Sequence, residues 1–146
     1  MTRRSERLEV VRQLRAREED TVRQKLVRLS AQREEAGQTL ASLDQYTREY
    51  QDQLRAGGIH QVHVLQQAQL FLSRLDEARA QQVALIKQLD DQIARVRQAW
   101  QQAHCKTDQM GDLVEQARQD EMRQAERRLQ TTLDDQSARK FWQNQK

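Results

Sequence analysis

The chain has 146 residues, of which 36% are hydrophobic and 32% charged, with no proline and a formal charge of +3. Its mean hydropathy is −1.05, too polar for a three-layer globular core. The longest apolar run, Val83-Ala84-Leu85-Ile86, is far short of the roughly 20 residues that span a bilayer.

What this composition does suit is a two-helix seam, in which only the a and d positions of a heptad need burial. The absence of proline fits long uninterrupted helices. Helix one is expected over about 5–56. Ser5 suits its start, with a hydroxyl that can accept from the orphan amides of the first turn, and Glu6 suits the positive helix end. Leu8 and Val11 open an apolar stripe that Arg15 and Glu18 continue with polar residues. A four-residue phase slip before Val22 predicts a looser N-terminal part. From there Val22, Leu26, Leu29, Arg33, Ala36, Leu40, Leu43, Thr47, Tyr50 and Leu54 alternate by four and three. That spacing averages 3.5 residues and keeps one stripe facing a partner helix.

Gly57 and Gly58 break the pattern, and a turn is expected at 57–60. Glycine takes the left-handed conformation that closes a helix. A continuous helix through both glycines costs about 2 kcal/mol relative to alanine. Helix two is expected over about 61–139. Its seam runs through Leu72, Leu75, Arg79, Gln82, Ile86, Leu89, Ile93, Val96, Trp100, Ala103, Thr107, Met110, Val114 and Ala117. Arg79 and Gln82 interrupt it with polar residues, and Trp100 reads as bulky filler. Antiparallel pairing about the glycines sets Leu54 near Gln61 and Ser5 near Met110. Residues after about Gly111 then form an unpartnered helix that frays or is ordered by another protein. The expected fold is all-α: one elongated domain over 1–146, a two-helix antiparallel coiled-coil hairpin with a C-terminal single-helix overhang.

Catalytic signals are weak. His60 and His63 lack the further ligands of a zinc set. His104 and Cys105 are sequence neighbours and point about 100° apart on a helix, a poor nucleophile–base pair. No phosphate loop, nucleophile elbow or HExxH motif occurs. No enzyme, metal or cofactor is expected. Cys105 is the only cysteine, which fits a reducing, cytoplasmic setting. No apolar run follows the charged start at Met1–Arg4, so no secretory signal is read. The charge reads as a solvated helical face, not a nucleic-acid groove. Beside the seam, Phe71, Leu75, Ala78 and Gln82 recur at i, i+4, i+7 and i+11. As an overlapping second stripe they are candidates for docking a protein.

The ordered set Leu43-Asp44-Gln45-Tyr46-Thr47-Arg48-Glu49-Tyr50, Leu54, the glycine pair, Gln67, Phe71-x3-Leu75-x2-Ala78, Trp100, Leu113 and Leu133-Asp134-Asp135 resembles the flagellar export protein family FliJ over about residues 5–140. The related stalk protein of injectisomes shares that architecture. The resemblance implies a stalk similar to the gamma subunit of rotary ATP synthases. It implies a cytoplasmic place at the flagellar type III export apparatus, peripheral to the inner membrane. The implied partners are a FliI-like export ATPase ring, an FlhA-like export gate protein and export chaperones. Phe71, Leu75 and Ala78 align with the gate-binding face, and Gln82 stands there in place of a relative's histidine. A structural or chaperone coiled coil that self-associates is the competing reading.

Overall fold

The computed structural model describes residues 3–58 and 60–145. Ile59, inside the expected turn, lies outside the described residues, as do Met1, Thr2 and Lys146. Helix α1 spans Arg4–Ala56 and helix α2 spans Val62–Asn144. No strand occurs among the described residues. The two helices pack against each other as an antiparallel hairpin. α2 continues past its expected end near Arg139 and carries no proline to stop it. Threonines inside the helices satisfy their hydroxyls locally: Thr47 donates to the Leu43 carbonyl at 2.8 Å and Thr107 to that of Ala103 at 3.1 Å.

The connection is closed by backbone and side chain together. Gly57 N donates to the Gln53 carbonyl at 3.0 Å, and Gly58 takes φ +73°, the left-handed conformation that ends helices. His60 Nε2 donates to the Leu54 carbonyl at 2.8 Å. That carbonyl is one of the four a helix leaves unsatisfied at its C-terminal end.

The contacts divide the chain into two compact units. The first is Thr21–Trp100. Its centre is Leu29, Ala36, Leu89 and Val96, with Val22, Leu26, Ile86 and Ile93 packed against them. On α1, every seam position expected from Val22 to Leu54 is buried or half-buried. On α2 the seam departs from expectation. Arg79 is exposed, whereas Phe71, Leu75, Ala78 and Gln82 are half-buried. The stripe read as an overlapping shoulder joins the seam through Phe71 and Ala78, while Leu72, Leu75 and Gln82, expected on the seam, are half-buried there and only Arg79 leaves it. The steps from Ala78 to Gln82 and from Gln82 to Ile86 are both four residues. The stutter therefore sits at Gln82, where a local change of supercoil turns the preceding residues by one position.

The second unit is Met1–Asp20 with Gln101–Lys146. Here the α1 stripe is Ser5, Leu8, Arg12, Arg15 and Glu19, while Val11 and Glu18 are exposed. The expected phase slip before Val22 is thus absent, because the chain keeps the three–four rhythm through polar residues. Opposite lie Ala103, Thr107, Met110, Val114 and Ala117, the last two nearly inaccessible at 2% and 3%. Gly111 leaves room for the Arg12 stem: a Cβ placed there would lie 3.9 Å from Arg12 Cδ.

The pairing register differs from that expected. Ser5 meets Glu121, not Met110: its amide donates to Oε1 at 3.0 Å and its hydroxyl to Oε2 at 2.7 Å. Glu121 lies about three turns further along α2. Ser5 therefore donates from inside the helix instead of capping it. The expectation centred the fold-back on the glycine pair, whereas the non-helical connection runs on to Gln61; this moves the centre by one to two residues and accounts for only a small part of the shift. The overhang accordingly starts later, at Met122 rather than after Gly111. From there to Gln145 every described residue is exposed.

Candidate interaction surface

Phe71 is set between two tyrosines of α1. Its ring lies 4.8 Å from Tyr50 in a tilted arrangement and 6.1 Å from Tyr46 edge-on. Both separations fall within the range favoured by aromatic quadrupoles. Tyr46 and Tyr50 are four apart, so they share one face of α1 and form a cradle for the single ring. The tyrosine pair is visible in the sequence, but its partner is not, because that depends on the pairing register.

Gln82 Nε2 donates to the Ala36 carbonyl at 3.0 Å. Arg79, turned off the seam, pairs through Nε with Asp44 Oδ1 at 2.6 Å, and Arg33 Nε pairs with Asp90 Oδ1 at 2.9 Å. These partly exposed pairs link the helices more as register marks than as a source of stability. The four candidate docking residues are thus brought into one stripe, with their inner sides against α1. The exposed apolar side chains beside them are Tyr46 (52%), Leu70 (56%), Val83 (45%) and Leu85 (42%).

In the terminal unit polar contacts accompany the buried Val114 and Ala117. His104 Nδ1 lies 2.7 Å from Glu19 Oε1, and Nε2 lies 3.4 Å from Asp108 Oδ2. The hydrogen bond to Glu19, followed by the charge of Asp108, raises the imidazole pKa above its ordinary value. The hydroxyl and amide of Ser5 hold the Glu121 carboxyl below the usual carboxylate range, and Arg12 does the same for Glu9. Cys105 is exposed. Glu121 and His104 join the two helices, and the Glu9–Arg12 pair lies within α1.

The sequence model described as "Flagellar FliJ protein" matches residues 4–146, nearly the whole length that forms the hairpin. The chain belongs to the FliJ family. It is therefore a flagellar export-related protein. No curated protein and no solved structure matches this FliJ-family chain. Among its described residues no helix is long and apolar enough to cross a membrane.

Proposed function

We propose that this FliJ-family chain is the stalk of the flagellar type III export apparatus, coupling the export ATPase ring to the export gate and assisting export chaperones. The observation that carries the reading is the family match over residues 4–146, joined to an antiparallel hairpin with an exposed terminal helix. Such a stalk works mechanically. It makes contacts that differ between states of the surrounding ring, and so biases one state over another. The flagellar description of the matched family favours this system over the injectisome relative. The place of action is the cytoplasmic side of the inner membrane, reached through partners.

The test is co-purification with the export ATPase, with hydrolysis measured in the presence and absence of the chain. Binding with a faster hydrolysis rate supports the reading; no binding and an unchanged rate reject it. The gate contact is assigned to Phe71, Leu75, Ala78 and Gln82 with their exposed neighbours. Leu75→Ala should weaken gate binding, whereas Leu40→Ala, which loosens the same seam from α1, should not. Equal loss in both variants would give Leu75 a purely structural part.

A further inference from the structure

Two stretches of this chain carry several bases and no acid. Residues 21–33 on α1 hold Arg23, Lys25, Arg28 and Arg33 and no acid, and residues 92–100 on α2 hold Arg95 and Arg97 and no acid. The rest of the chain is net acidic, since these stretches take six of its 25 basic residues and none of its 22 acidic ones. In sequence alone the two stretches are far apart. The hairpin sets them side by side, because Leu29 and Val96 share one hydrophobic cluster. All the bases except Arg33 are exposed, and Arg33 is engaged with Asp90.

We propose that Lys25, Arg28, Arg95 and Arg97 form a basic collar that binds acidic loops of a protein partner. The band spans about 20 Å of helix and is bounded in sequence by Glu18–Asp20, by Glu34–Glu35 and by Asp90–Asp91. A partner must therefore present acid over a short length only. Arg95 and Arg97 are two residues apart and point about 200° apart round α2. A nucleic-acid duplex lying on one face meets only part of the set, while loops approaching from several sides meet all of it. Val27, 63% exposed, stands among these bases and gives a protein an apolar point of contact that a phosphate backbone does not use. The collar rests on the proposed stalk reading for one thing only, the identification of the export ATPase as the protein that supplies the loops.

The experiment uses the full chain and three probes: a fluorescent octaglutamate peptide, a short DNA duplex and the export ATPase. The collar variant is Lys25→Glu, Arg28→Glu, Arg95→Glu and Arg97→Glu, with the four glutamine substitutions as a milder form. The control has the same charge change elsewhere, on exposed bases outside both the collar and the terminal helix: Arg48→Glu, Arg55→Glu, Arg74→Glu and Lys87→Glu. Wild type should bind the peptide in a salt-sensitive manner. The collar variants should lose at least tenfold in affinity and the control less than twofold, with helical circular dichroism unchanged. Equal loss in collar and control overturns the proposal, as does duplex DNA binding more tightly than the peptide at the same salt. If the peptide results hold but the ATPase does not bind wild type, the stalk reading fails and the collar stands.

Discussion

Gln82 donates its side-chain amide to the Ala36 carbonyl at 3.0 Å, at the one seam position of α2 flanked by a four-residue step on either side. A polar residue in a coiled-coil seam costs stability and specifies register. Gln82→Leu should raise the melting temperature, by about 1 kcal/mol of added stability on the burial scale of a few methylene groups. The same change should broaden the spin-label distance distribution between Leu29 and Leu89. A lower melting temperature with an unchanged distribution would show that the amide contributes net stability and no register.

The Phe71 ring fills the space between Tyr46 and Tyr50. Truncation removes two aromatic contacts, each worth about 0.5–1.5 kcal/mol, along with buried area. Phe71→Ala should therefore destabilise the chain by about 2 kcal/mol or more in urea denaturation, with Phe71→Leu intermediate. The half-burial of Phe71 and Leu75 against α1 predicts that the double alanine variant also melts earlier.

His104 faces Glu19 of α1 through Nδ1 and Asp108 of its own helix through Nε2, and only the imidazolium donates to both and adds its charge to the link with α1. Its folded pKa is raised. The contribution is fully present below the ordinary histidine value of about 6.5 and is lost as pH rises through the raised value. The melting difference between wild type and His104→Gln should be largest near pH 6, on the grounds of that ordinary value, and should shrink on the alkaline side. A difference that grows with pH would contradict the pairing.

Gly58 has φ +73° with open space around its Cα. Gly58→Ala meets no neighbour, so its cost is backbone strain alone, about 1–2 kcal/mol, and Gly58→Asn should cost less. Gly57→Ala acts differently. Its methyl would fall 2.7 Å from His60 Cε1 and displace the ring from the Leu54 carbonyl. Combining Gly57→Ala with His60→Ala should therefore cost less than the sum of the two single changes.

Met122 to Gln145 are exposed throughout, so no tertiary packing protects their amides. Hydrogen exchange there should be orders of magnitude faster than in residues 86–96, because local opening is not tied to the global transition. Adding the export ATPase should slow exchange in this segment if the ring orders it. Slow exchange in the isolated chain would instead mean self-association.

The α1 seam was legible from Val22 to Leu54 because burial there follows the chain's own three–four rhythm. At Arg12 and Glu19 that rhythm was concealed, since Val11 and Glu18 offered an apolar-led alternative. The candidate stripe from Phe71 to Gln82 was legible as a stripe, but not as the packed one. Phe71 and Leu72 are adjacent, and which of them leads the seam depends on the stutter at Gln82.

Local chemistry alone therefore determined that two helices form, where the glycines part them, and the family to which the order of motifs points. Helix formation and heptad spacing are properties of neighbours along one strand of chain. Only the folded molecule decided that Ser5 meets Glu121, that Phe71 lies between two tyrosines, and that two distant acid-free stretches become one band. Those outcomes depend on how far one helix slides past the other. That slide is set jointly by the width of the turn and by contacts across the seam, neither of which is encoded in the periodicity of a single helix.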